Sequence, residues 1–149
     1  MKHIALLTCV CGLMLLGSCK NQSAQNEQPL EVMTFNVRLD APSDSANNWK
    51  YRKDNVCQMI TYYQPDLLGM QEVRHNQMED LKQGLPQYTA LGVGRDDGKE
   101  AGEYCPIFFR TDRFTLVEYG NFSLSEQPET IGIKGWDASY NLSLIHISE

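Results

Sequence analysis

Between Pro65 and Val73 the chain reads P-D-L-L-G-M-Q-E-V, a short apolar run that starts behind a proline and stops abruptly at two polar residues. Asp66 to Met70 has the composition of a strand buried on both faces, so other layers must cover it. The run ends in Gln71 and Glu72, which puts a carboxylate where a buried strand stops. Glu72 then either caps the helix that follows, where negative charge is favoured, or serves chemistry at the strand's end.

The elements around this strand predict an α/β domain. Leu30 to Leu39 alternates apolar and other residues and reads as a first core strand, with Asn36 near its end. Asp40 to Asn48 is turn and loop, and Asn47 or Asn48 suits the N-cap of the next helix. That helix runs from Trp49 to Tyr63, with Trp49, Val56, Met59, Ile60 and Tyr63 at near-helical spacing, until Gln64 and Pro65 stop it. Arg52 and Lys53 near its start oppose the helix dipole, so they have partners elsewhere or face solvent, and the solvated reading is preferred. A second helix spans His75 to Gln83, with Met78 and Leu81 on one face and Gly84 and Pro86 ending it. Tyr88 to Val93 reads as a strand. Pro106 to Arg110 and Phe114 to Asn121 read as two more, joined closely enough to form a hairpin.

Composition narrows function. A chain of 149 residues, 42% hydrophobic and 21% charged, is ordinary for one globular domain. Its net charge of −6, from 13 basic and 19 acidic residues, is spread without a basic cluster and argues against non-specific DNA binding. A polyanionic substrate is still compatible where a divalent cation supplies local positive charge. The glycines of Gly92 to Gly98 form a turn, since no helix follows to make a dinucleotide fingerprint, and Asp96 and Asp97 lack the rest of an EF-hand.

The N-terminus reads as an address. Lys2 and His3 precede an apolar run of 13 residues, Ile4 to Leu16, too short to span a bilayer and suited to a signal peptide over residues 1–18. Leu16-Gly17-Ser18-Cys19 resembles the lipobox of bacterial lipoproteins, in which the cysteine is acylated. That resemblance implies an exported chain held on the envelope by lipid on Cys19, with residues 19–29 as a polar tether. Of five cysteines, only Cys57 and Cys105 then remain in the domain, and they are expected as separate small residues rather than a disulfide or a metal pair.

Met33-Thr34-Phe35-Asn36-Val37, the Pro65 to Val73 stretch and Glu103 to Arg110 together resemble the start of the endonuclease/exonuclease/phosphatase superfamily, which includes DNase I-like nucleases, deadenylases and lipid or inositol phosphatases. The resemblance covers Leu30 to Tyr140. It implies the N-terminal part of a four-layer α/β/β/α sandwich with mixed sheets, and a metal-dependent phosphoesterase using Mg²⁺ or Mn²⁺. Glu72 matches the family's metal-binding carboxylate, and Asn36 the asparagine that helps orient metal and phosphate. A hard cation takes oxygen ligands and keeps several waters, so one glutamate plus substrate oxygens is an adequate set. Glu103 and Tyr104 are candidates for the rim of the substrate pocket, whereas Trp49, Arg52, His75 and Trp136 are read as packing or surface. The implied substrate is a phosphate ester, either nucleic acid or a small phosphate or lipid headgroup, handled by a monomer. A tethered binding lipoprotein that keeps the fold without catalysis is the alternative.

The family's Asn-His strand, Asp-x-Asn pair and terminal Asp-His are not found here, and the last histidine is His146. Leu142 to Glu149 resembles translated sequencing adapter, without the strand continuation expected after Asp137. The domain of residues 30–141 is therefore expected to be truncated, with residues 142–149 a non-native tail. An exposed inner sheet face, poor folding and no turnover are expected of the chain as written.

Overall fold

The computed structural model describes residues 28–148. The expected signal peptide, Cys19 and most of the tether lie outside the described residues.

Strand β1 (Val32–Asn36), a 3-10 turn over Pro42–Asn47, helix α1 (Trp49–Tyr63) and strand β2 (Leu67–Gln71) follow one another. Helix α2 (His75–Gly84) and strands β3 (Tyr88–Leu91), β4 (Ile107–Arg110), β5 (Glu118–Ser123) and β6 (Ser143–Ser148) complete the order. The first sheet is mixed, in the order β1-β2-β4-β3: β1 and β2 are parallel, and β4 is antiparallel to both its neighbours. A parallel pair needs a crossover, and α1 supplies it. Strands β5 and β6 form a second, two-stranded sheet. A mixed sheet backed by helices, with a second, antiparallel sheet, is the architecture of an incomplete four-layer sandwich.

Helix α1 starts because Asn48 Oδ1 accepts the Lys50 amide at 3.2 Å. It stops because Gln64 turns left-handed, φ 48°, before Pro65. Trp49, Val56 and Ile60 of α1 and Met78 and Leu81 of α2 bury against Leu68, Met70 and Phe108 of the sheet. Asp80 ties the two helices, accepting Trp49 Nε1 and Lys53 Nζ, each at 2.8 Å. The other face of β1 is open: Val32 is 67% exposed.

Two expectations are corrected. Strands β4 and β5 do not form a hairpin, because β2 and β3 already occupy both edges of β4. The connecting residues are committed elsewhere: Arg113 pairs with Asp66, and the Thr111 amide donates to the Gln87 carbonyl at 3.2 Å. Strand β5 instead pairs in register with β6, Asn121 opposite Ile145 and Ser123 opposite Ser143. The stretch after Leu142 thus does form a strand.

Candidate metal and phosphate site

The parallel register sets Asn36 opposite Gln71, so the carboxyl ends of β1 and β2 lie side by side. Ligand sites in open α/β sheets collect at such ends. Glu72 is the first residue past β2. Its backbone is left-handed, φ 61°, a conformation that costs a β-carbon residue about 1–3 kcal/mol and persists only where surroundings enforce it. That turn sends the side chain back towards β1. Glu72 Oε1 accepts Asn36 Nδ2 at 2.8 Å, and Oε2 accepts the Leu39 amide at 3.2 Å. The helix-cap reading of Glu72 is thereby displaced, since α2 begins at His75 with Arg74 as its N-cap. The Asn36 hydrogen bond, then the Leu39 amide, then the nearby Arg38 charge hold the Glu72 carboxyl below the usual carboxylate range.

Asn36 is itself fixed. Its Oδ1 accepts the Arg38 amide at 2.8 Å, a side-chain turn that bends the chain just past β1. Arg38 is left-handed as well, φ 58°, and its guanidinium grips Asp44 through two bonds of 2.7 Å. Gln71 lies beside this corner and donates Nε2 to Thr34 Oγ1 at 3.1 Å, bracing the two strand ends.

Two further residues shape the corner, Arg52, which the sequence reading placed in solvent, and Gln77, which it did not single out. Arg52 is not solvated: its Nε donates to the Asn47 carbonyl at 2.6 Å, Nη1 to Val37 at 2.7 Å and Nη2 to Arg38 at 3.1 Å. Lys53 is likewise paired, with Asp80. Gln77 is fully buried; its Oε1 accepts the Asp40 and Arg74 amides and its Nε2 donates to the Arg38 carbonyl, all at 3.0 Å. A glutamine three residues into a helix, reaching back to the N-cap amide, is the sequence signal that marks Gln77. The awkward placement of Arg52 in a first helical turn was the signal for Arg52.

Glu103 and Tyr104 lie on the segment preceding β4, and Tyr104 bridges Val73, the residue after Glu72. Their polar atoms are engaged internally. Arg95 holds Glu103 with bonds of 3.1 and 3.3 Å. Tyr104 is buried, donates to the Lys99 carbonyl at 2.9 Å and meets His75 Nδ1 at 3.1 Å. With its proton given to Lys99, that hydroxyl accepts from His75. Trp49 packs in the core and Trp136 is exposed. Cys57 and Cys105 are separate half-buried thiols, each with its pKa pushed up mainly by burial.

Among the described residues no three His, Cys, Asp or Glu side chains converge as a metal cage. The donors at the corner are one carboxylate with acceptor capacity to spare and one asparagine amide. They fit a hard cation that is bound through a single carboxylate and completes its shell with water and substrate oxygens.

Residues 33–144 match the sequence model of the Endonuclease/Exonuclease/phosphatase family. The chain belongs to that family. Among solved members, the endonuclease/exonuclease/phosphatase from Bacteroides vulgatus is 52% identical with a TM-score of 0.76, matching 76% of this chain and 44% of that one. The mannosyl-6-phosphatase of Bacteroides thetaiotaomicron is 45% identical with a TM-score of 0.72, over 78% of this chain and 43% of that one. Nocturnin of Xenopus laevis is 28% identical over 124 residues, 69% of this chain and 31% of that protein. The chain therefore spans less than half the length of each of these family relatives.

Proposed function

We propose that this chain carries the metal-binding half of a phosphoesterase site, in which Glu72 holds Mg²⁺ or Mn²⁺ and Asn36 orients both Glu72 and the phosphate. The observation that carries the reading is the left-handed Glu72, turned back at the end of β2 so that its carboxylate meets Asn36 and the Leu39 amide. A left-handed, non-glycine backbone at the carboxyl end of a strand, with its carboxylate turned to a neighbouring strand end, points to chemistry. The bound cation supplies charge to offset that developing on the phosphoryl oxygens as water attacks phosphorus. Glu72 stays ionised to bind it, because its two hydrogen bonds favour the carboxylate. Asn36 spends one amide proton on Glu72 and keeps the other for a phosphate oxygen. The attacking water and the leaving group are served by residues of the family's second half.

The substrate we favour is a small phosphate monoester, such as a sugar phosphate, over a nucleic acid. The net charge of −6 without a basic stripe disfavours a long polyanion. The relative acting on a mannosyl phosphate is also more similar, 45% against 28% for nocturnin. We further propose that the protein is exported, anchored by lipid on Cys19, and acts as a monomer.

A panel of sugar phosphates, 2′,3′-cyclic nucleotides and polyadenylated oligoribonucleotides, offered to the full-length protein with Mg²⁺, tests the reading. Phosphate release from the sugar phosphates, abolished by EDTA and lowered at least about 100-fold by Glu72→Gln, is the expected result. Release that survives both treatments would overturn it.

A further inference from the structure

One peptide group stands between the buried side of the molecule and the candidate site. The bond between Arg38 and Leu39 is trans, as are all those described, so its carbonyl and its amide point in opposite directions. The amide points at the site, where Leu39 N–H donates to Glu72 Oε2 at 3.2 Å. The carbonyl points away and receives two donors, Gln77 Nε2 at 3.0 Å and Arg52 Nη2 at 3.1 Å. Both lone pairs of that oxygen are thus taken.

The donors are themselves held by further hydrogen bonds. Gln77 has no exposed surface, and its Oε1 is fixed by the Asp40 and Arg74 amides. Arg52 spans three carbonyls in succession, those of Val37, Arg38 and Asn47, and its guanidinium lies over the Trp49 ring with 5.5 Å to the centroid. Arg38 is left-handed, φ 58°, a conformation uncommon for a residue with a β-carbon, so neighbouring groups help to hold the peptide in place. Rotating the peptide by half a turn would break the bonds of Gln77, Arg52 and Glu72 together and aim a carbonyl dipole at the carboxylate.

We infer that the Arg38–Leu39 peptide is the mount of Glu72, and that Arg52 and Gln77 are positioning residues that aim its amide at the carboxylate. The inference rests on the reading of Glu72 as a metal ligand, which it deepens by naming what holds that ligand. A cation and a buried amide on the carbonyl also polarise the peptide and strengthen the amide as a donor. Neither side chain hydrogen-bonds Glu72 itself, so each acts on it through the peptide.

Gln77→Glu separates this role from simple helix capping. It keeps the oxygen that receives the Asp40 and Arg74 amides and removes the Nε2 donor to the Arg38 carbonyl. Arg52→Lys keeps the charge and loses the fork, and it provides a second variant should Gln77→Glu not fold. Both are made in the full-length protein and followed by the Leu39 amide resonance in ¹H–¹⁵N spectra without metal, and by Mn²⁺ titration read by electron spin resonance.

The expected result is an upfield move of the Leu39 amide proton in each variant, with the remaining spectrum folded, and Mn²⁺ affinity lowered about tenfold. An unchanged Leu39 resonance in either folded variant would overturn the mount. If Glu72→Gln binds Mn²⁺ as well as the wild type does, the metal reading fails instead. The metal-free Leu39 signal still decides the role of Arg52 and Gln77 in that event.

Discussion

The amide of Asn36 and the carboxylate of Glu72 meet across the ends of two parallel strands, Nδ2 to Oε1 at 2.8 Å. Because Asn36 is exposed, its removal takes little from the core. Asn36→Ala is expected to lower Mn²⁺ affinity about tenfold while leaving the melting temperature nearly unchanged, as isothermal titration and a thermal melt would read.

Asp66, at the opposite end of β2, is 1% exposed, accepts the Glu31 amide at 2.9 Å and pairs with Arg113. It pins the entry to β1 against the turn after β4. Asp66→Ala strands both donors and is expected to cost about 3 kcal/mol in urea unfolding, since breaking one partner of a buried pair leaves the other uncompensated.

Leu68 is fully buried in β2 beneath the helices. Leu68→Ala is expected to destabilise the domain by about 3 kcal/mol through lost transfer energy plus a residual cavity, whereas Val32→Ala, on the open face of β1, should cost well under about 1 kcal/mol. Equal losses at the two positions would mean that the β1 face is covered.

The pH dependence of stability should carry the signature of Asp80. Burial pushes its carboxyl up, but hydrogen bonds from Lys53 and Trp49 outweigh that and leave it below the usual carboxylate range. A lowered folded pKa contributes stability that is present above the unfolded value, about 3.9, and is lost as the pH falls through the folded one. Asp80→Asn should therefore flatten the acid limb of a melting-temperature profile below about pH 4 and leave its slope at neutral pH alone.

Cys57 and Cys105 should remain thiols in an oxidising medium. Burial raises both pKa values, so both should alkylate slowly at neutral pH, and an unreduced intact mass should retain both hydrogens. A mass short by two hydrogens would show a disulfide.

Much of the fold was legible because local chemistry declares it. The spacing of Trp49, Val56 and Ile60, with Asn48 before and Pro65 behind, fixes α1 at Trp49–Tyr63 as expected. The strand expected over Asp66 to Met70, found at Leu67–Gln71, was equally readable, whereas the association of Asn36 with Glu72 was implied only by the family resemblance. The pairing of β4 was not, because turn length alone signals a hairpin while the occupancy of a strand's two edges is decided by distant chain. Arg52 and Gln77 escaped for a different reason. Their places in a first helical turn marked them as unusual, but their partners are backbone carbonyls and amides, which every residue has, so the sequence did not say which groups they hold.

The left-handed backbone at Glu72 makes one position answer to two masters. Glycine would suit φ 61° without steric cost, and the peptide there would relax. Only a carboxylate, however, can reach back to Asn36 and Leu39 with negative charge. On the reading of Glu72 as a metal ligand, thermal robustness and metal binding therefore pull residue 72 in opposite directions, and a scheme that stabilises this domain by favouring comfortable backbones would remove that carboxylate first.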